Sequence, residues 1–127
     1  EMDATTAHNV IDIMYEQKNI LELKGGMRLG SYQCSILPGT KAFEIYNSPS
    51  IYERHRHRYE FNNKYKEALE KAGMICSGYN EESNLVEIIE LKNKKWYIGV
   101  QFHPEYRSTV VNPHPLFISF IEAIITK

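Results

Sequence analysis

The sequence predicts an α/β domain, and three observations carry that reading. Residues 85–91 (LVEIIEL) and 96–102 (WYIGVQF) are rich in β-branched and aromatic side chains, which suit a pleated, half-buried surface. Leu116, Phe117, Phe120, Ile121, Ile124 and Ile125 recur at helical spacing and make one apolar stripe. Turn-forming residues separate such segments at short intervals, with no internal repeat, low-complexity tract or linker. At 127 residues the chain is one domain's worth of sequence.

The elements follow in order. Residues 9–14 (NVIDIM) alternate apolar and polar side chains and read as a short strand. Residues 15–24 are polar and irregular, and Gly25-Gly26 marks a joint or tight turn. A strand is expected over 29–37 (LGSYQCSIL). Pro38-Gly39-Thr40 is turn chemistry that starts a short helix running to about Tyr46. A loop at 47–50 leads into the run Tyr52-Glu53-Arg54-His55-Arg56-His57-Arg58-Tyr59-Glu60-Phe61, which Asn62 and Asn63 end. Residues 65–72 suit a two-turn helix stopped by Gly73 as a C′ residue. A strand over 74–77, a turn over 78–83 and a hairpin loop at 93–95 complete the middle. Pro113 and Pro115 open the last helix, where a missing N–H does no harm. A parallel sheet covered on both faces is the expected arrangement.

Composition excludes several classes. Fifteen Lys and Arg against sixteen Asp and Glu leave a formal charge of −1, too near balance for bulk capture of nucleic acid or anionic membrane. No run approaches the ~20 apolar residues that cross a bilayer. Nothing at the start reads as a basic region followed by an apolar one, so the expected location is the cytoplasm. Cys34 and Cys76 are too few for a disulfide scaffold or an all-cysteine zinc site, and are expected as free, buried thiols.

One segment carries candidate chemistry. In Val100-Gln101-Phe102-His103-Pro104-Glu105 an apolar strand delivers a histidine to its C-terminal end, where α/β sheets place reacting groups. Pro104 pushes His103 toward extended backbone, and Glu105 is near enough to accept an imidazole N–H. An acid–base histidine needs such a carboxylate to hold one tautomer. A surface histidine at a turn is the plainer alternative. Neither cysteine has the Gly-x-nucleophile-x-Gly frame that exposes a reactive thiol.

The run 54–58, if extended, puts its arginines on one face and its histidines on the other. Guanidiniums sharing a face offer bidentate recognition of carboxylate or phosphate. A solvated strand with Glu53 and Glu60 paired to the arginines is the alternative. A metal held by His55, His57 and His103 is rejected, because arginines beside both His55 and His57 would repel a dication.

These residues also resemble a known family. The run Glu53-Arg54-His55-Arg56-His57-Arg58-Tyr59-Glu60 followed by Asn62 is similar to the signature of the CTP synthases. So are Gly25-Gly26-Met27-Arg28-Leu29-Gly30, Leu85-Val86-Glu87, Gln101-Phe102-His103-Pro104-Glu105-Tyr106 and Pro113-His114-Pro115-Leu116-Phe117. His-Pro-Glu alone is shared by many class I glutamine amidotransferases. Another such enzyme is therefore an alternative that the Arg-His run disfavours, and a non-catalytic glutaminase-like subunit is one that the intact His103 and Glu105 disfavour.

The resemblance implies that residues 1–127 are the C-terminal portion of a flavodoxin-like, three-layer glutaminase domain. It implies a Cys-His-Glu triad in which His103 is the base and acid and Glu105 its orienting carboxylate. The nucleophilic cysteine elbow and the oxyanion-hole glycine would lie upstream, so this stretch alone is expected to be inactive. Arg58 and Glu1 would bind L-glutamine. An N-terminal amidoligase domain would use ATP and Mg²⁺ to aminate UTP, with GTP as activator and a homotetramer as the assembly. The family pattern has one more residue between Gly26 and Met27, in a stretch that forms a GTP-responsive lid.

Overall fold

The computed structural model describes residues 3, 5–13 and 27–126. The polar stretch 15–24 and the Gly25-Gly26 joint lie outside them. Among the described residues of the alternating run 9–14, β1 (Ile11–Asp12) is the strand. β2 (Arg28–Ile36) leads through α1 (Lys41–Tyr46) into β3 (Ser50–His57), and β4 (Glu60–Phe61) then pairs with β1. A 3₁₀ turn (Asn63–Tyr65) opens α2 (Lys66–Lys71), which Gly73 closes with φ +99°. β5 (Met74–Asn80), β6 (Leu85–Leu91), β7 (Ile98–Val100) and α3 (Pro115–Ile125) complete the described elements.

The main sheet has the order β3-β2-β5-β6-β7 and is antiparallel at every pairing, where a parallel sheet is expected from the sequence. For β5–β6 and β6–β7, connection length is the physical reason. Residues 81–84 and 92–97 are too few for the crossover of about a dozen residues that parallel neighbours need. Asn84, at φ +53°, turns the tighter of the two.

α1 starts where the turn chemistry places it. The Thr40 hydroxyl accepts from the Phe43 amide at 3.2 Å. The buried Glu90 carboxylate of β6 accepts from the Lys41 and Ala42 amides at 2.9 and 3.0 Å. The helix N-terminus is thus tied to the sheet by a charge that its dipole favours.

Two apolar clusters lie on the sheet. Cys34, Ile36, Ala42, Ile88, Phe102 and Leu116 form one beneath α1 and α3. Phe61, Cys76 and Val86, with Leu69 of α2 packed against them, form the other. Val86 and Ile88 are two apart yet serve different clusters. A register shift in the β5–β6 ladder explains this, since Gly78 pairs with Ile88, Tyr79 with Val86, and neither Ser77 nor Glu87 has a register partner.

Gly78 corrects the turn expected at 78–83. β5 runs through it to Asn80, and the glycine is there for close approach. A Cβ at this position would sit 2.6 Å from Cγ1 of Ile88 and 2.8 Å from Sγ of Cys34. Gly78→Ala is expected to cost about 1–3 kcal/mol through overpacking, read as a lowered melting temperature of the domain. An unchanged melting temperature would show that the ladder yields there.

The apolar stripe of α3 is largely uncovered. Only Leu116 is buried, while Phe117, Ile118, Phe120, Ile121, Ile124 and Ile125 stay exposed. The Trp96 ring lies against Phe120 at 4.9 Å and donates to the Ser119 hydroxyl at 3.0 Å.

Candidate active site

β3 supplies one wall of the site. As an edge strand it alternates as the sequence predicts, with Arg54 and Arg56 exposed and His55 buried. Charged side chains on an edge also deter pairing with another chain. The strand carrying the candidate base, at the opposite edge of the main sheet, is shorter than 96–102. β7 ends at Val100, and one more bond follows, from the Gln101 amide to the Glu87 carbonyl at 2.9 Å. Phe102 is buried and anchors the exit.

His103 leaves that exit in extended backbone, φ −107° and ψ 91°, as a residue before proline should. Its amide donates to the Arg54 carbonyl at 2.8 Å, which joins the two predicted motifs through the backbone. Pro104–Arg107 then forms a 3₁₀ turn that brings Glu105 back over the ring. Nδ1 of His103 lies 2.7 Å from Oε1 of Glu105, and that bond holds the Glu105 carboxyl below its ordinary value. The Arg107 guanidinium donates to the Tyr52 carbonyl and fastens the turn to β3. Tyr106 stacks on the imidazole at 5.3 Å.

With Nδ1–H committed to Glu105, Nε2 of His103 is left as the proton acceptor, and it makes no hydrogen bond among the described residues. The ring is 38% exposed, open enough to meet a reactant and fixed on one side. Arg58 sits exposed at the corner between β3 and β4. Glu1 lies outside the described residues.

The thiols are shut away. Cys34 is fully buried, and burial together with the Glu87 carboxylate pushes its thiol far above the ordinary value. Burial does the same, less strongly, to Cys76. Neither is a nucleophile in this arrangement. His55 and His57 bond to each other, and among the described residues no three metal-ligating side chains converge.

Glu53 and Glu60 do not pair with the arginines of the run, as the solvated-strand alternative would have it. Glu53 is buried, accepting from Nε2 of His114 at 2.7 Å and from the Tyr46 hydroxyl at 3.1 Å. Since Nδ1 of His114 accepts from the Leu116 amide, the same ring caps α3 and ties it to β3. Glu60 faces Arg28 at 3.7 Å and Nδ1 of His57 at 3.5 Å.

Arg28 is the residue that sequence reasoning missed. It is buried, hydrogen-bonded to Glu87 and set over the Tyr32 ring at 4.3 Å. Two glutamates inside the otherwise apolar LVEIIEL were the available signal, because a buried carboxylate requires a partner.

The chain as a whole has counterparts elsewhere. A family model described as glutamine amidotransferase class-I matches residues 4–123. The chain belongs to the class I glutamine amidotransferases. It is 61% identical over 127 residues to a CTP synthase of Bacteroides fragilis, covering 100% of this chain and 24% of that protein. Against a CTP synthase of a Hydrogenobaculum species the identity is 62% over 122 residues, 96% of this chain and 23% of that protein. The chain thus spans about a quarter of the length of these curated relatives. The glutaminase domain of Trypanosoma brucei CTPS, solved with acivicin bound, superimposes with a TM-score of 0.87 at 35% identity. That match covers 97% of this amidotransferase chain and 48% of the solved one, so the mixed α/β fold described above is that of a class I amidotransferase.

Proposed function

We propose that this chain is the C-terminal part of the glutaminase domain of a cytoplasmic CTP synthase. The observation that carries the reading is the 2.7 Å bond between His103 and Glu105 on a strand end tied to the Arg-His run. It leaves Nε2 as a base of fixed direction.

Arg58 binds the carboxylate of L-glutamine, with Glu1 as a second contact. A thiol contributed by residues outside this stretch gives its proton to Nε2 and attacks the side-chain amide carbon. Collapse of the adduct expels ammonia, which takes that proton from His103, and leaves a thioester. Water then loses a proton to the same nitrogen and attacks the thioester, the C–S bond breaks, and the departing thiolate recovers that proton from His103 as glutamate is released. Glu105 stabilises the imidazolium formed in each half. The ammonia passes to an amidoligase domain, where ATP activates UTP, Mg²⁺ serves the nucleotides, GTP acts as activator, and the assembly is a homotetramer.

Full-length protein given UTP, ATP, Mg²⁺ and glutamine is expected to form CTP and glutamate in equal amounts, with supplied ammonia able to replace glutamine. Glutamate without CTP would assign the chain to another class I amidotransferase. Neither product would mark a non-catalytic glutaminase-like subunit.

A further inference from the structure

The inward face of the Arg-His strand holds two histidines to which the proposed mechanism gives no task. Nδ1 of His55 lies 2.7 Å from Nε2 of His57, and Nδ1 of His57 lies 3.0 Å from the Tyr59 carbonyl oxygen. A carbonyl only accepts, so Nδ1 of His57 carries its proton. In a neutral ring Nε2 must then accept, so Nδ1 of His55 is the donor to it. Burial, and after it the charge of Arg28, pushes His55 down to about 3 and His57 to about 4. Both rings are neutral near pH 7, and the donor order runs from His55 through His57 to the Tyr59 carbonyl.

One end of this chain of bonds closes the corner that holds Arg58, and the other packs against the residue before His103. Arg58 and Tyr59 lie outside both β3 and β4, at a corner where no strand ladder fixes the backbone. The bond to the Tyr59 carbonyl closes that corner across Arg58. At the other end the His55 ring packs edge-on against Phe102 at 5.8 Å, one residue before His103. The charge of His103 also contributes, after burial and Arg28, to lowering both imidazoles.

We propose that His57 is a positioning residue for Arg58: its Nδ1–H bond to the Tyr59 carbonyl sets the corner that aims the guanidinium at the substrate carboxylate, and His55 fixes the tautomer that makes this bond. The inference rests on the reading of Arg58 as a glutamine contact. It adds a reason for the histidines that interleave the arginines. The inward imidazoles here are neutral while still donating, so they add no cation to those the strand presents outward.

Two substitutions separate the nitrogens. The amide nitrogen of asparagine stands near the place of Nδ1, and that of glutamine near the place of Nε2. In the full-length enzyme His57→Gln, losing the Tyr59 bond, is expected to raise the KM for glutamine about 10-fold with kcat within about two-fold. His57→Asn is expected to keep KM within about three-fold of wild type. Ammonia-dependent CTP formation should be unchanged in both. In an Arg58→Ala background, His57→Gln should add less than about two-fold, because it acts through the missing guanidinium.

Equal KM values for the two His57 variants, an additive effect in the Arg58→Ala background, or loss of ammonia-dependent activity in both would overturn the positioning role while leaving Arg58 as a contact. A wild-type KM for Arg58→Ala itself would remove the glutamine contact, and the inference with it.

Discussion

Full-length protein carrying His103→Ala is expected to lose glutamine-dependent CTP formation by about 10³-fold or more, while ammonia-dependent formation stays near wild type. The ring has two jobs in the proposed chemistry, accepting the thiol proton and protonating departing ammonia, and no other described side chain stands where its Nε2 does. Packing does not confound the result. The side chain is 38% exposed, whereas the anchoring of this strand end falls to buried Phe102 and to the backbone bond from residue 103 to the Arg54 carbonyl. Alanine keeps that amide, so the fold should change by no more than about 0.5 kcal/mol. The measurement is a pair of CTP-formation rates, one with glutamine and one with saturating ammonium. Equal loss in both would mean that the residue holds up the structure, and the acid–base reading would fall.

What was legible in the sequence was local. Thr40 and Gly73 mark helix ends by their own chemistry, and Pro104 forces the extended backbone that lets Glu105 return to the ring of His103. The alternation of Arg54 to His57 follows from strand geometry alone. Each of these depends on residues within five positions of one another, where sequence spacing and spatial distance are nearly the same thing.

The rest depends on register. Arg28 faces His57 only because β2 and β3 align antiparallel with those residues opposite. Glu87 joins them only because the β5–β6 ladder slips beside it. Nothing in the spacing of residues 28, 57 and 87 shows this, since the ladders bring together positions dozens of residues apart. Gly78 misleads for a related reason. Seen alone it is turn chemistry, and its real constraint is a neighbour ten residues on. The stripe of α3 is the converse case, a pattern that is plain in sequence but is buried only at Leu116 and covered in part at Phe120 among the described residues.

Arg28→Met is expected to be the most destabilising substitution in this stretch, by about 3–5 kcal/mol near neutral pH. The guanidinium is buried and hydrogen-bonded to Glu87, whose carboxylate is fully enclosed and has one oxygen without a hydrogen bond. Burial already holds Glu87 above its ordinary 4.5, and the charge of Arg28 and its hydrogen bond pull the other way. Without Arg28 the carboxyl rises further. A native carboxyl titrating above the unfolded one binds the extra proton in the native state, so stability falls as pH rises through that window and is level beyond it. His55 and His57 act in the same direction. Arg28 helps to hold both below 6.5, so wild type loses stability as pH falls below that value, and the variant loses less. His55 can then carry charge 3.6 Å from Glu87. The gap between variant and wild type should therefore be widest at about pH 8 and narrow toward about pH 5, read from unfolding midpoints at the two values. Adding Glu87→Gln to Arg28→Met should recover part of the loss, because it removes one of the two buried carboxylates that Arg28 faces. A gap that is the same at both pH values would show that Arg28 contributes by filling space over Tyr32 and not by neutralising the carboxylate beside the site.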